Sequence, residues 1–272
     1  MAPMASACPP SLAIAIANAG GLGGCGALMM QPEAIRNWAA DVRAGTNGGF
    51  QFNLWIPDPP PKRDAAAEAA VRDFLANWGP PVPPEAGNVV LPDFNAQCDA
   101  LLEAGPAIVS SIMGLYPDRF VARMKAKGIK WFATVTTVSE AKAAESAGAD
   151  AVIAQGMEAG GHRGTSDLAQ AEWADAIGKA APEDTVITRT MTGRPARSIA
   201  TNYVRAAMGP AAPPPAPYPV QRGLTQPMRD AAAKANDIAG IQAWAGQSAR
   251  LARAEPAGEV VQRLWREAQA LL

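Results

Sequence analysis

The sequence predicts an α/β protein in which parallel strands alternate with helices, and two observations support this prediction. First, short apolar runs alternate with alanine-rich stretches of helical pattern over the first 164 residues, which is the rhythm of repeated β/α units. Second, the candidate strands are apolar along their whole length, as strands buried on both faces are. Repeated units of this kind imply right-handed crossovers between parallel strands.

The strand and helix candidates follow one another in order along the chain. Each predicted helix ends at or just before a glycine, the residue that most often follows a last helical turn. The segment Ser11–Ala19 alternates leucine and isoleucine with alanine, and we interpret it as a helix because alanine favours helices. The predicted strands are Phe50–Trp55, Ala107–Met113, Lys130–Val135 and Ala151–Ala154, and the other predicted helices are Pro32–Ala44, Ala65–Trp78, Pro117–Ala126 and Ser139–Ala147.

The C-terminal part of the chain has a different organisation. The proline-rich run from Pro210 to Pro219 predicts a semi-rigid linker, and the segment Gln226–Leu272 after it has a largely helical pattern. We therefore expect residues 1–209 to form the α/β domain, and residues 210–272 to form a linker and helices that pack on it.

Composition and charge exclude several classes of partner. The chain has 272 residues, with 24 basic and 25 acidic side chains that are scattered along it, so no electrostatic surface for nucleic acid or an anionic membrane is expected. Three cysteines without a CxxC pair argue against a disulfide framework and against a zinc site, and no metal is implied. The apolar stretch Leu12–Ala17 is too short for a signal segment or a membrane span. We expect a cytoplasmic protein that acts on small molecules.

The run Gln155–Gly164 contains the strongest candidate for catalysis. His162 is the single histidine of the chain, and it follows two glycines just beyond the predicted strand Ala151–Ala154. In parallel α/β folds, active sites form at the carboxyl ends of the strands, and a histidine there is suited to accept a proton near neutral pH. The alternative is a surface-loop histidine without a role.

A second glycine cluster, Gly20–Gly26, resembles a phosphate-binding loop at first sight. Gly21, Gly23 and Gly26 satisfy the G-x-G-x-x-G pattern, but the strand before it and the acidic residue after it that a dinucleotide site requires are not convincing. We interpret the cluster as the end of a helix that passes into a short strand.

Four segments of the chain resemble the nitronate monooxygenases, formerly called 2-nitropropane dioxygenases, and specifically the bacterial class of that family. They are Ala2–Ala5, Asn18–Gly23, Phe52–Leu54 and, most specifically, Ala154–Gly164, which reads AQGMEAGGHRG. The resemblance implies a TIM-type (β/α) barrel that binds FMN at the carboxyl ends of its strands. It also implies an enzyme that oxidises alkyl nitronates with dioxygen to a carbonyl compound and nitrite.

The resemblance also assigns roles to single residues. His162 would be catalytic, either binding the nitronate oxyanion or taking an α-proton from a neutral nitroalkane, and Tyr218 would form a wall of the substrate site. The remaining assignments concern the cofactor: Met4 and Ala5 beside the flavin ring, Asn53 and Gln155 as hydrogen-bond partners of FMN, and Gly160 and Gly161 in the lining of the pocket.

The sequence departs from the family pattern in two places. Most of the first strand is absent, and after Gly164 about two β/α units are missing, which is roughly 60 residues at about 30 per unit. Because these units are missing, we expect an incomplete barrel with a C-terminal helical segment. The missing units ordinarily supply the phosphate site. Two alternatives stay open: a non-catalytic family member unable to hold the FMN phosphate, or a related NAD(P)H:quinone or enoyl reductase. A homodimer is also left open.

Overall fold

The computed structural model describes residues 1–4, 7–161, 176 and 178–272. The contacts within the chain define two compact units, each made of more than one segment. Unit 1 comprises Met1–Asp58, Leu91–Gly156 and Ala254–Leu272, and unit 2 comprises Pro59–Val90 and Met157–Arg253. The division into residues 1–209 and 210–272 stays a prediction.

Unit 1 contains a parallel sheet of five strands whose spatial order follows the sequence. This order results when each strand is followed by a crossover to its next neighbour. The predicted α/β fold with repeated β/α units is therefore confirmed, and the described residues provide five parallel strands where a complete TIM barrel has eight. The strands are β1 (Gly23–Gly26), β2 (Phe50–Trp55), β3 (Ile108–Ile112), β4 (Lys130–Val135) and β5 (Ala151–Ala154).

The helices of unit 1 lie before, between and after these strands in the sequence. The interpretation of the first segment as a helix is confirmed, and so is the passage of the glycine cluster into a short strand, since β1 lies within it. The helix Phe94–Ala104 was not predicted. Its first turn is capped by Asp93, whose side chain accepts a hydrogen bond from the amide of Ala96 at 2.7 Å. The helices are α1 (Pro10–Asn18), α2 (Pro32–Gly45), α4 (Phe94–Ala104), α5 (Asp118–Ala126), α6 (Val138–Ser146) and α10 (Ala257–Gln269).

The core of unit 1 lies between the sheet and its helices. Trp38 of α2 packs edge-on against Phe52 of β2, with ring centroids 5.0 Å apart, and Leu54 is fully buried in the same cluster. Because side chains alternate between the two faces of a strand, Gln51 and Asn53 point to the opposite face of β2. That face carries the polar residues of the candidate site.

Unit 2 has its own core and a small antiparallel sheet that the sequence analysis did not predict. Its two strands are β6 (Thr185–Thr188) and β7 (Ala196–Ile199). Tyr203, Leu224 and Met228 are buried in its core cluster, which Ala216 of the proline-rich run also joins. Four helices with described bounds belong to this unit: α3 (Ala65–Leu75), α7 (Asn202–Ala207), α8 (Val220–Leu224) and α9 (Gln226–Ala235).

The predicted helical pattern of the C-terminal segment is confirmed in part. Helices α9 and α10 lie within it, but between them the described chain is irregular apart from a single 3-10 turn, Ala249–Leu251. No helix among the described residues is long and apolar enough to cross a membrane.

Candidate active site

A polar patch lies on one face of the sheet in unit 1, built around Asn53. Asn53 is 9% exposed, and its Nδ2 donates a hydrogen bond to Ser110 Oγ at 3.0 Å. The two residues are direct neighbours in the parallel register of β2 and β3, and on the other side of Asn53 the register position of β1 is Gly26. Since Gly26 has no side chain, Asn53 has only one side-chain neighbour across the strands.

Gln51 extends this patch toward the beginning of β2. Its Nε2 donates to the carbonyl oxygen of Met1 at 3.0 Å, and Ser110 Oγ lies 3.5 Å from its Oε1. Gln51, Asn53 and Ser110 are all at least nine-tenths buried. Amide and hydroxyl groups can both donate and accept hydrogen bonds. This face of the sheet is therefore suited to a ligand with polar atoms.

Gln155 lies immediately after β5, at the same edge of the sheet toward which β2 runs. Its backbone N–H continues the ladder by donating to the carbonyl oxygen of Val135 at 2.9 Å. Its side-chain Oε1 is buried and has no hydrogen-bond partner among the described residues. An acceptor left in this state costs about 1–3 kcal/mol, and such an orphaned atom at the carboxyl end of a parallel strand is a reason to expect a donor from a ligand.

Met4 is half-buried against the core of unit 1. Its backbone N–H donates to Cys8 Sγ at 3.3 Å, so the sulfur holds the segment that contains Met4.

Burial raises the pKa of the Cys8 thiol, and burial also raises the pKa of the Cys25 and Cys98 thiols to about 12. A protonated, buried thiol is a poor nucleophile, so no cysteine is a candidate for catalysis. Ala5 lies outside the described residues.

Gly160, Gly161 and Tyr218 belong to unit 2. A Cβ atom on Gly160 would lie 2.4 Å from the backbone nitrogen of Gly246, which explains in packing terms why this position is glycine. Tyr218 is half-buried, and the guanidinium carbon of Arg194 lies 4.8 Å from the centre of its ring. The roles of these residues toward a cofactor or substrate stay predictions. His162 lies outside the described residues, and its catalytic role is likewise a prediction.

The structure thus brings together Asn53 and two residues that the sequence analysis did not select, Gln51 and Ser110. Two signals in the sequence point to them: Gln51 and Asn53 are the alternate polar residues of β2, and Ser110 is one of two adjacent serines in the otherwise apolar β3. In a strand with apolar neighbours, such residues indicate that one face is polar.

Comparison with known proteins gives one consistent result. The sequence model of the nitronate monooxygenase family matches residues 1–180 and 169–267. A nitronate monooxygenase of Paraburkholderia phytofirmans is 33% identical, with 98% of this chain and 90% of the relative aligned. A second one, of Pseudomonas aeruginosa, is 31% identical, with 98% and 94% aligned.

Solved structures agree with the sequence comparison. A nitroalkane oxidase from Streptomyces ansochromogenes superposes with a TM-score of 0.80 at 29% identity, and the match covers 100% of this chain and 96% of that protein. FabK from Thermotoga maritima superposes with a TM-score of 0.67 at 21% identity, which shows a shared fold and nothing more.

The alignments are longer than this chain. With the Paraburkholderia protein the alignment extends over 337 positions, which exceeds the 272 residues of this chain by 65. The family match is divided into two segments, which overlap at residues 169–180. Relatives therefore have residues that this chain lacks, and the division of the family match lies a few residues after the AQGMEAGGHRG run.

Proposed function

This chain belongs to the nitronate monooxygenase family, a family of oxidoreductases, and we propose that it oxidises alkyl nitronates with dioxygen to a carbonyl compound and nitrite with FMN as cofactor. The observation that supports this most directly is the orphaned Oε1 of Gln155, in the run that most resembles the family. Relatives are named for nitronate oxidation, and Gln155 directly follows the carboxyl end of β5.

The polar residues of unit 1 fit the ring of FMN. An isoalloxazine edge has both ring N–H donors and carbonyl acceptors, and a primary amide such as that of Asn53 or Gln155 offers both complements. In this proposal Gln155 Oε1 would accept a hydrogen bond from the ring, and Asn53, whose Nδ2 donates to Ser110 Oγ, would help to hold it. From the sequence resemblance, Met4 and Ala5 would contact the ring. When bound, FMN supplies the acceptor for the electrons of the nitronate and passes them on to dioxygen.

The substrate-side roles are proposed from the sequence. His162 binds the negatively charged oxygen of a nitronate as an imidazolium, or as a neutral imidazole it accepts the α-proton of a nitroalkane. Gly160 and Gly161 precede it in the sequence, and the resemblance alone assigns them to the cofactor pocket and Tyr218 to the substrate site. The substrates are small, and no macromolecular partner is needed for this reaction.

A second candidate is a family member that has lost catalysis because it does not hold the phosphate of FMN. The alignment with the Paraburkholderia protein has 65 more positions than this chain has residues, which favours this candidate, because the loops after the last two strands of a TIM barrel supply the phosphate site with their backbone N–H groups. The two candidates differ in one measurable property, the affinity for FMN.

The experiment compares FMN binding and oxygen consumption in the wild type and in Gln155→Met. We expect the wild type to bind FMN stoichiometrically, as measured by quenching of flavin fluorescence, and to consume oxygen with an alkyl nitronate. Gln155→Met keeps the size of the side chain but removes the acceptor, so the Kd for FMN should rise about tenfold, the equivalent of one lost hydrogen bond of about 1.4 kcal/mol.

Gln31→Met is the matched control, because Gln31 is exposed and its side chain makes no capping hydrogen bond at the start of α2. Its Kd for FMN should equal that of the wild type. Stoichiometric FMN binding without nitronate-dependent oxygen consumption would contradict the proposed activity, and absence of any flavin binding would favour the non-catalytic candidate.

A further inference from the structure

Arg197 of β7 connects two backbone segments of unit 2 through its side chain. Its Nε donates a hydrogen bond to the carbonyl oxygen of Met157 at 2.8 Å. Its Nη1 donates to the carbonyl oxygen and to Oγ1 of Thr185, at 3.1 and 2.9 Å. The guanidinium therefore joins the start of the segment Met157–Gly161 to the first residue of β6.

The backbone of Arg197 holds the other end of the same segment. Gly161 and Arg197 form an antiparallel bridge, in which the Gly161 N–H donates to the Arg197 carbonyl oxygen at 2.9 Å and the reverse bond is 3.4 Å long. One residue thus fixes Met157 with its side chain and Gly161 with its main chain. The next residue in the sequence is His162.

A third contact fixes the middle of the segment. The N–H of Gln247 donates to the carbonyl oxygen of Glu158 at 3.0 Å, and Gly160 lies so close to Gly246 that a side chain would not fit. A loop held at its start, middle and end has few conformations left, and this is the property required of a segment that presents a catalytic side chain.

We propose that Arg197 is a positioning residue of the reaction, which acts through His162 by fixing the backbone that leads into it. This inference rests on the proposed function, since it takes His162 as the catalytic group. The planar guanidinium has several donors in fixed directions and bridges the two carbonyl oxygens, whereas an ammonium group is a single point of donation.

The first test measures the loop itself, independently of activity. In Arg197→Gln the bonds from a charged donor to Met157 and Thr185 are lost, while the main-chain bridge to Gly161 remains. Hydrogen–deuterium exchange of the Gly161 and Gln247 amides should become about tenfold faster, because charge-assisted bonds contribute about 1.5 kcal/mol or more. Arg205→Gln, at an exposed arginine of α7, should exchange as the wild type does.

The second test asks whether the effect passes through His162. We expect Arg197→Gln to lower kcat about tenfold with KM within about twofold of the wild type. His162→Asn should remove most activity on neutral nitroalkanes, and Arg197→Gln should cause no further loss in that background, because residues that act as a unit are not additive. Arg197→Lys, which keeps the charge but reaches one carbonyl oxygen only, should fall between the wild type and Arg197→Gln.

His162 also gives a spectroscopic readout, since a chain with one histidine has one set of imidazole NMR signals. Their titration curve should differ between Arg197→Gln and the wild type and should be unchanged in Arg205→Gln. Wild-type exchange rates and an unaltered imidazole titration in Arg197→Gln would overturn the inference. If the wild type oxidised no nitronate, the proposed function would fail, but exchange and titration would still decide the positioning role. If Arg197→Gln does not fold, the same two measurements on Arg197→Lys decide it.

Discussion

At the level of single residues, Asp150 connects β4 to the turn before β5, and we expect its contribution to stability to depend on pH. Its Oδ2 accepts a hydrogen bond from the Trp131 N–H at 2.9 Å, and its Oδ1 lies 3.2 Å from Lys130 Nζ. The backbone bond lowers the pKa of Asp150 below its ordinary value of 3.8, against the effect of burial and with the help of Lys130. A lowered pKa in the folded state stabilises the fold above the ordinary value, and this contribution disappears as the pH falls through the folded pKa.

We therefore expect Asp150→Asn to lower the free energy of unfolding by about 1 kcal/mol at pH 7, since Asn keeps an acceptor but loses the charge. The difference from the wild type should shrink as the pH falls below 3.8. Urea unfolding at several pH values measures it, and Asp41→Asn, at an exposed position of α2, is the control. A difference that stays the same from neutral to acidic pH would contradict this account.

Only some residues of the candidate site could be predicted from the sequence. Asn53 and Gln155 could be predicted because both belong to runs that resemble the family, and Gln155 also follows a predicted strand. The structure buries the side chain of Asn53 and the Oε1 atom of Gln155. Ser110 and Arg197 could not be selected in the same way. Ser110 is placed beside Asn53 by the register between β2 and β3, and Arg197 is placed beside Gly161 by the bridge between that residue and β7. Neither pairing can be predicted from a single sequence.

At the level of elements, the central strands of the parallel sheet should contribute much more to stability than β5. Val109 of β3 is fully buried, with Phe52 and Trp131 as its register neighbours. Val152 of β5 is 44% exposed. A threonine in place of a buried valine has the same shape but places a hydroxyl in an apolar core, which costs about 1–3 kcal/mol.

The matched pair Val109→Thr and Val152→Thr measures this difference by urea unfolding. We expect a loss of about 2 kcal/mol for Val109→Thr and a change within about 0.5 kcal/mol for Val152→Thr. Equal losses would show that β5 is as well packed as the centre of the sheet.

Elements were predictable where local pattern and tertiary packing agree. The bounds of β2, β4 and β5 coincide with the predicted ones, because each strand is a short run set off from the helical pattern around it. The pair β6 and β7 was missed because its strands are rich in Thr, Arg and Ser and because burial alternates along β7. Such strands are defined by their partner, in this case each other, more than by an apolar run.

At the scale of the whole molecule, the sequence indicated both the family and a shortened barrel, and an alignment 65 positions longer than the chain supports the second. It did not indicate that the chain enters each compact unit more than once. This division depends on long-range contacts, since Pro59–Val90 lies between segments of unit 1 in the sequence but joins the core of unit 2. Local periodicity does not encode such contacts.

Each unit has a core cluster whose buried members all come from that unit, and this predicts how substitutions combine. Val109 and Val204 are both fully buried, the first in the cluster of unit 1 and the second in that of unit 2. Val204→Ala should cost about 1–3 kcal/mol through lost burial and the cavity left behind. Because the two residues share no cluster, the loss in the double variant with Val109→Thr should equal the sum of the single losses within about 0.5 kcal/mol.

A pair inside one cluster provides the contrast. Phe52 is the register neighbour of Val109 and lies in the same core, so Phe52→Leu and Val109→Thr alter one packed region, and their losses should deviate from additivity by about 0.5 kcal/mol or more. Equilibrium unfolding in urea of the three single variants, the two double variants and the wild type gives both coupling energies. Strong coupling between Val109 and Val204 would mean that the two cores unfold as one packed region and that the division into units does not describe the energetics.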